Sequence, residues 1–164
     1  MAISLAIIIP VRYYLIQPFF VRGASMMPNF DSGQYLVVDE ISYRLDEPKR
    51  GEVIVFRYPL DTSQYYIKRI VGLPGETVKI GNNQVIIYNQ DNPEGKILDE
   101  SDYLTVSSIT WGRVKLELGP DEYFVLGDNR SASSDSRQWG VLEEDNIVGR
   151  VWLRVWPFDL ATVY

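Results

Sequence analysis

Two apolar stretches, "GEVIVFRY" at residues 51–58 and "YYIKRIVG" at residues 65–72, decide the fold class of this chain of 164 residues. Both are rich in β-branched and aromatic residues, and they alternate or run apolar over lengths typical of strands. Leu73-Pro74-Gly75, directly after the second stretch, is a strong turn signal. The pair therefore predicts two β-strands, the second of which carries Lys68 among bulky apolar neighbours.

Strand patterns continue on both sides of this pair. Gly81-Asn82-Asn83 separates "ETVKI" from "QVIIYN" and predicts a hairpin. Further strand-like runs are "QYLVVDE" (34–40), "RVKLEL" (113–118), "EYFVLG" (122–127) and "IVGRVWLRVW" (147–156). Helical periodicity is convincing nowhere after residue 22. We therefore predict a single all-β unit with one surface insertion at about 77–118.

Composition excludes several classes of function. Hydrophobic residues make up 46% of the chain, which is enough for a sizeable core. The 22 acidic and 16 basic residues give a net negative charge, which argues against nucleic acid as the main partner. It contains no histidine and no cysteine, which excludes disulfides and thiolate chemistry and argues against zinc or iron–sulfur sites. We predict neither a metal nor a cofactor.

The N-terminus does not have the pattern of a soluble protein. "MAISLAIIIPV" (1–11) is apolar except for Ser4, whereas a membrane-spanning helix needs about 20 such residues. We predict that residues 1–21 belong to a membrane-anchor helix, which is either cut short upstream or completed by tilt and by Arg12 reaching the interface. The alternative is a buried core segment, although Pro10 and Pro18 disfavour a long core helix.

The stretch "GASMMPNF" (23–30) places one hydroxyl, that of Ser25, directly after this apolar region. A serine becomes an effective nucleophile only when an adjacent base takes its proton. Because the chain has no histidine, another group must act as that base. Taken alone, Ser25 also fits an ordinary surface serine in a turn before Pro28.

Lys68 is the candidate base. Burial disfavours an ammonium ion, so a lysine among apolar neighbours has a lowered pKa. Lowering that pKa from about 10.4 to about 8 requires roughly 3 kcal/mol of differential desolvation. Taken alone, Lys68 equally fits a solvated lysine on an amphipathic strand.

A third stretch, "GDNRSASSDSRQWG" at residues 127–140, concentrates charges and hydroxyls after a predicted strand. We refer to it as the late loop. It could orient a neighbouring side chain through its hydroxyls, and it could be fixed by an ion pair between Asp135 and Arg137 or between Asp128 and an arginine elsewhere. A disordered polar loop is the alternative, but the bracketing Gly127, Trp139 and Gly140 favour a defined shape.

The order of these stretches resembles that of the bacterial type I signal peptidases, which are membrane-anchored Ser–Lys proteases that remove signal peptides from exported proteins. The resemblance runs from about Arg12 to Trp156. It rests on "VRYYLIQPFFV", "GASMMP", "RGEVIVFRYP", "YIKRIVGLPGE", "GDNRSASSDSRQWG" and "GRVWLRVWP".

The resemblance implies catalytic roles for named residues. Ser25 matches the nucleophile, Lys68 the general base and Ser133 the serine that orients the lysine amine. The backbone N–H of Ser25 matches one oxyanion-hole donor. Gly23 stands where many relatives carry a serine that gives a second donor, so here a backbone N–H or a water must supply it.

The resemblance also implies supporting contacts and a substrate pocket. Asp135 with Arg137, and Asp128 with Arg69, match structural ion pairs. The pocket would accept cleavage sites of the Ala-x-Ala type, and its lining residues would be Val21, Met26, Phe30, Tyr66 and Ile67.

For the whole chain, the resemblance implies coiled antiparallel sheets in a catalytic β domain over residues 22–164. It implies a monomer in the bacterial plasma membrane, with a single span and the catalytic domain on the outer face. Its partners would be preprotein signal peptides and the lipid bilayer. Two alternatives are an inactive, membrane-tethered β module that binds exported polypeptides, and a self-cleaving Ser–Lys peptidase of the SOS-repressor type.

Overall fold

The computed structural model of the chain describes residues 16–105, 107–157 and 161–164. These residues are mostly β-strand with almost no helix, as the sequence predicted. The strands are β1 (Ile16–Phe20), β2 (Tyr35–Asp39), β3 (Val53–Tyr58), β4 (Asp61–Gly72), β5 (Thr77–Gly81), β6 (Gln84–Asn89), β7 (Asn92–Ile97), β8 (Val114–Glu117), β9 (Glu122–Leu126), β10 (Leu142–Glu143), β11 (Ile147–Trp156) and β12 (Thr162–Val163). A single-turn helix, α1 (Ser136–Trp139), lies between β9 and β10.

The strands form two antiparallel sheets. The larger sheet has the order β1-β2-β11-β3-β4-β9-β10, with β12 paired to β11. The smaller sheet has the order β7-β6-β5-β8. Residues 77–117 supply all four strands of the smaller sheet, so the chain leaves the larger sheet after β4 and returns to it at β9.

The two stretches that led the sequence analysis pair as β3 and β4 near the centre of the larger sheet. In this register Lys68 lies opposite Ile54, and Arg69 lies opposite Val53. Successive residues of a strand point to opposite faces. In β3, accordingly, the side chain of Val53 packs in one core cluster and that of Ile54 packs in another. Lys68 and Arg69 therefore begin on opposite faces of the same sheet.

The predicted hairpin between β5 and β6 is confirmed. Its turn residues Asn82 and Asn83 have φ values of 51° and 62°, the left-handed region that asparagine tolerates better than most residues. The smaller sheet packs on the larger one through an apolar cluster that includes Val78, Ile80 and Phe124.

The N-terminal prediction is wrong for residues 16–20. A helix was predicted over residues 1–21, but Ile16–Phe20 forms β1, whose partner is β2. β2 already pairs with β11 on its other side, so it offers one free edge for hydrogen bonding. Pro18 is tolerated there because β1 is itself an edge strand. The rest of the predicted anchor, residues 1–15, lies outside the described residues. No helix in the part of the chain that the structure describes is long and apolar enough to cross a membrane.

Candidate active site

Ser25 and Lys68 are 43 residues apart in the sequence and meet in the structure. The Nζ of Lys68 lies 2.8 Å from the Oγ of Ser25. The same amine donates a hydrogen bond of 2.8 Å to the backbone carbonyl of Ile67. Lys68 is only 3% exposed, although its hydrogen-bond partners are a hydroxyl and a carbonyl instead of a carboxylate.

This environment changes the acidity of the amine. Burial lowers the pKa of Lys68 to about 8, although the charges of Asp135 and Asp128 act in the opposite direction. At neutral pH a useful fraction of the amine is therefore unprotonated. A neutral amine at hydrogen-bond distance from a hydroxyl can take its proton, which is the requirement for a general base.

A tight turn presents Ser25. The N–H of Met27 donates to the carbonyl of Ala24 at 3.2 Å, and the N–H of Phe30 donates to the carbonyl of Met26 at 2.9 Å. Gly23, directly before the turn, has a φ of 90°, which favours glycine for its backbone freedom. Among the residues that the structure describes, no group accepts a hydrogen bond from the N–H of Ser25.

Asn129 of the late loop holds this turn, and the sequence analysis did not identify it. Its side-chain Nδ2 donates to the carbonyl of Ala24, and its backbone N–H donates to the carbonyl of Ser25, both at 3.0 Å. The carbonyl of Ala24 and the N–H of Ser25 belong to one planar trans peptide and point in opposite directions. By holding the carbonyl, Asn129 therefore fixes the direction of the N–H.

Gly127 allows the late loop to approach the nucleophile. A Cβ at this position would lie 2.2 Å from the Oγ of Ser133 and 2.5 Å from the backbone oxygen of Ser25. Both distances are far below van der Waals contact, so any side chain would push the late loop away from Ser25. The Ser133 hydroxyl thus lies beside the backbone of the nucleophile.

The structure does not show the predicted hydrogen bond between Ser133 and Lys68. The amine instead donates to Ser25 and Ile67. Ser133 is 7% exposed, and among the described residues its hydroxyl makes no hydrogen bond to the lysine amine.

Asp135 organises the late loop. It is fully buried, caps α1 through the N–H of Arg137 at 3.3 Å, and accepts a hydrogen bond from the N–H of Gly127 at 3.1 Å. The guanidinium of Arg137 lies 2.8 Å from this carboxylate. Burial alone would raise the pKa of Asp135, but the hydrogen bonds and charge of Arg137 outweigh it and lower the pKa. Asp135 is therefore an anion at neutral pH.

Asp128 and Arg69 form the second ion pair. Arg69 donates to both carboxylate oxygens of Asp128, at 2.8 and 2.6 Å, and to the carbonyl of Gly51 at 2.7 Å. The Asp128 side chain is fully buried and also accepts a hydrogen bond from Asn29 at 2.8 Å. This pair connects β4 to the start of the late loop on the face opposite Lys68.

A groove of about 540 Å³, here called the catalytic groove, is lined in part by Ser25 and Lys68. Residues 19–25 and 64–68 line it, and Val21, Tyr66 and Ile67 are among them. That these three residues bind substrate stays a prediction. Met26 and Phe30 do not line the groove. They are 1% and 0% exposed because the turn after Ser25 directs them into the core beside β2 and β3. Their predicted place in the pocket is therefore corrected.

The part of the chain that the structure describes contains no cluster of three or more carboxylate, histidine or cysteine side chains able to hold a metal. The groups gathered around Ser25 are an amine, hydroxyls and backbone amides. This set is suited to nucleophilic attack on a carbonyl and proton transfer.

A family model described as "Signal peptidase, peptidase S26" matches residues 1–156. The chain belongs to this signal peptidase family. As a family member it is a serine peptidase and therefore a hydrolase.

Individual relatives agree with this membership. The signal peptidase I of Leptolyngbya laminosa is 34% identical over 165 residues, which cover 96% of this chain and 77% of the relative. The signal peptidase IB of Staphylococcus aureus is 32% identical over 168 residues, which cover 96% of this chain and 87% of the relative. The crystal structure of a signal peptidase I from Enterococcus faecalis matches with a TM-score of 0.52 and 28% identity, over 65% of this chain and 97% of that chain. The resemblance stated from sequence motifs is thus confirmed, and the β-sheet architecture is that of a signal peptidase I.

Proposed function

We propose that this signal peptidase family member is a serine endopeptidase that removes N-terminal signal peptides from exported preproteins by means of a Ser25–Lys68 dyad. The observation that carries the proposal is the 2.8 Å contact between the Ser25 hydroxyl and the buried Lys68 amine. The names of the relatives supply the substrate class, because several are called signal peptidase I.

The reaction begins with a proton transfer. Neutral Lys68 takes the proton of Ser25 Oγ, which attacks the carbonyl carbon of the scissile bond. When the carbon–nitrogen bond breaks, the Lys68 ammonium returns the proton to the leaving amine and an acyl-enzyme remains. Lys68 then takes a proton from a water molecule, whose oxygen attacks the ester carbon. As the bond from that carbon to Ser25 Oγ breaks, the Lys68 ammonium returns the proton to Oγ, and the signal peptide is released as its carboxylic acid.

The negative oxygen formed during the attack needs donors. The N–H of Ser25 is the first, since it has no other partner in the described structure and Asn129 fixes its direction. One such donor contributes about 3–4 kcal/mol in serine peptidases. The second donor is a backbone N–H at the Gly23 end of the turn or a water, because Gly23 has no hydroxyl.

Ser133 acts on the protonated lysine. A Lys68 ammonium has three N–H donors, and Ser25 and Ile67 accept two of them. The buried Ser133 hydroxyl is the nearby acceptor that we assign to the third. Removing this hydroxyl lowers the rate without abolishing it, because misorientation by about 1 Å can cost roughly 100-fold.

The catalytic groove binds the residues before the scissile bond. We assign to it small side chains in cleavage sites of the Ala-x-Ala type, and the aromatic residues in its lining contact them. The protein works as a monomer in the bacterial plasma membrane. Its N-terminal segment, which includes the apolar residues 1–11, contributes to a single-span anchor, and residues 22–164 form the catalytic domain on the outer face, with an insertion at about 77–118.

The test is cleavage of a purified model preprotein. Ser25→Ala and Lys68→Ala abolish cleavage while the circular dichroism spectrum stays unchanged. Lys79→Ala is the matched control, because Lys79 is an exposed lysine on β5. Substantial cleavage by folded Lys68→Ala would overturn the dyad.

The same preparation separates the two alternatives. A wild-type protein that binds preproteins without cleaving them would be the inactive module. A protein that cuts only its own chain, at a rate independent of protein concentration, would be the self-cleaving peptidase.

A further inference from the structure

A second groove of about 410 Å³ is lined in part by Met27 and Pro28, which follow Ser25 in the nucleophile turn. We call it the Trp111 groove. Met27, Pro28 and residues 128–131 of the late loop form one side, and Ile109 and Trp111, from the loop between β7 and β8, form the other.

The nucleophile turn and the late loop each contribute residues to both grooves. Residues 24 and 25 line the catalytic groove, whereas Met27 and Pro28 line the Trp111 groove. The late loop is divided in the same way, since Ala132 and Ser134 face the first groove and Ser131 faces the second. Asn129, which lines the Trp111 groove, donates hydrogen bonds to the carbonyls of Ala24 and Ser25, which line the catalytic groove. The Trp111 groove is therefore within reach of the residues that follow a scissile bond bound at Ser25.

The far wall of the Trp111 groove is anchored to the late loop. The buried Arg130 donates to the Thr110 hydroxyl at 2.6 Å and forms an ion pair with Glu100. Arg137 donates to the backbone carbonyl of Trp111 at 3.1 Å. The late loop that carries Asp135 and Ser133 thus also positions Trp111, so the distance from this wall to the nucleophile is set by direct contacts.

The chemistry of the groove favours an apolar occupant. Trp111 is 62% exposed, Met27 41% and Ile109 40%, so all three present apolar surface to solvent. The two charged residues in the lining are already paired, Asp128 with Arg69 and Arg130 with Glu100. Burying an unpaired charge beside them would cost free energy, whereas burying an aromatic or branched aliphatic side chain gains it.

We infer that the Trp111 groove binds the first residues of the mature protein, directly after the scissile bond, and selects a large apolar side chain among them. This inference rests on the proposed function and adds a leaving-group subsite to it. The apolar side chain packs on Trp111 and Ile109, while the neighbouring Ser131 and Ser107 hydroxyls face the peptide backbone. Better binding at this subsite holds the scissile carbonyl closer to Ser25 Oγ, so it acts on kcat/KM.

The test uses peptides with one fixed Ala-x-Ala site and with alanine, phenylalanine or aspartate at each of the first four positions after the scissile bond. For the wild type we expect kcat/KM to be about tenfold higher for phenylalanine than for alanine at one position, and lowest for aspartate. Trp111→Ala reduces this phenylalanine-to-alanine ratio to near one. Ile109→Ala, on the same side of the groove, reduces this ratio by a smaller factor. It provides an independent test of the subsite if Trp111→Ala does not fold.

Trp152→Ala is the matched control, because Trp152 is 41% exposed and lines neither groove. It retains the wild-type ratio at every position. The subsite is overturned if the phenylalanine-to-alanine ratio of kcat/KM is unchanged in Trp111→Ala and Ile109→Ala. It is also overturned if the wild type gives the same kcat/KM for all side chains at all four positions. Either result leaves the dyad in place. Failure of the wild type to cut any peptide or preprotein overturns the proposed function, and the subsite with it.

Discussion

Lys68 and Arg69 are neighbours on β4, both largely buried and both basic, but their partners differ in kind. Arg69 forms a two-pronged ion pair with Asp128, and its guanidinium lies 4.2 Å from the centre of the Tyr103 ring. Lys68 contacts a hydroxyl and a carbonyl. One strand therefore carries, on one face, a cation that is paired with a carboxylate and, on the other face, an amine that has no carboxylate in contact with it.

The difference shows what makes a base in a chain without histidine. Burial by itself is shared by the two residues. The lowered pKa of Lys68 arises because burial acts without a carboxylate in direct contact, while Asp128 and Asp135 raise that pKa only from a distance. A guanidinium could not serve in its place, since it stays protonated at any pH the protein survives. The sheet thus keeps the amine reactive by placing the nearest carboxylates against arginines.

The largest expected effect comes from removing the amine. Lys68→Met preserves the approximate shape and lowers kcat by about 10²–10⁴-fold, because no group replaces the general base. Its free energy of unfolding at pH 7 stays level or rises. The pKa of Lys68 is lower folded than unfolded, so the wild type loses stability as the pH falls from the unfolded value towards about 8, and methionine removes that loss.

Preprotein cleavage measures the fall in kcat, and urea denaturation at pH 7 and pH 10 measures the free energy of unfolding. A Lys68→Met protein that is several kcal/mol less stable than the wild type at pH 7 would contradict the view of Lys68 as an uncompensated buried amine.

The matched change on the opposite face is Arg69→Met. It leaves the fully buried Asp128 carboxylate without its cation, and we expect it to lower the free energy of unfolding by about 3–5 kcal/mol. Arg150→Ala is the control, since that side chain is 37% exposed and its ion pairs measure 3.3 and 3.4 Å. We expect it to cost less than about 1 kcal/mol. Urea denaturation measures both losses of unfolding free energy. If the two variants lost the same amount, the pair of Arg69 with Asp128 would not be a specially stabilised ion pair.

A smaller effect is expected at Asn129. Asn129→Ala and the nearly isosteric Asn129→Asp both lose the N–H that holds the Ala24 carbonyl, and kcat falls by about tenfold or more because the oxyanion donor loses its fixed direction. In Asn129→Ala the acidic limb of the pH profile stays unchanged, since the pKa of Lys68 does not depend on this bond.

Asn146→Ala, in the turn before β11, is the control and retains the wild-type kcat. If Asn129→Asp restored full activity, the amide donor would not matter. If the acidic limb moved in Asn129→Ala, Asn129 would act on Lys68 instead of on Ser25.

The smallest effect concerns pH. We expect the acidic limb of kcat/KM to lie near 8, because activity requires the neutral amine. Asp128 favours the charged form of Lys68, so Asp128→Asn lowers the lysine pKa and moves the limb to lower pH. Asp61→Asn, at a fully exposed carboxylate, leaves the limb in place. A limb that moved upward in Asp128→Asn would contradict the assignment of Lys68 as the titrating base.

Local patterns made part of this molecule predictable. The alternation of residues 65–72 predicted a strand in which Lys68 has apolar neighbours, and Gly81-Asn82-Asn83 predicted a hairpin turn that requires left-handed backbone. In each case the deciding interactions lie within a few residues of the signal. The family motifs then brought Ser25 and Lys68 together without any knowledge of the fold.

Other features depend on distant partners and left no local signal. The amide of Asn129 holds a carbonyl 105 residues earlier in the chain, which no periodicity reveals. Met26 and Phe30 look identical in sequence whether they line a pocket or fill the core, and the turn after Ser25 decides for the core. Residues 16–20 became a strand because β2 had a free edge, a fact of the assembled sheet.

The anchoring of the loop between β7 and β8 has a consequence for how the chain tolerates change in length. The turn between β6 and β7 carries the exposed residues Gln90 and Asp91 and makes no contact with the late loop among the bonds described above. Extra residues or a foreign tag can be accommodated there at little cost. Added length at residues 107–111 would instead act on Arg130 and Arg137, and through them on the nucleophile. In the smaller sheet, the length of the turn between β6 and β7 is thus free to vary, whereas the length of the loop between β7 and β8 is fixed by its contacts with the late loop.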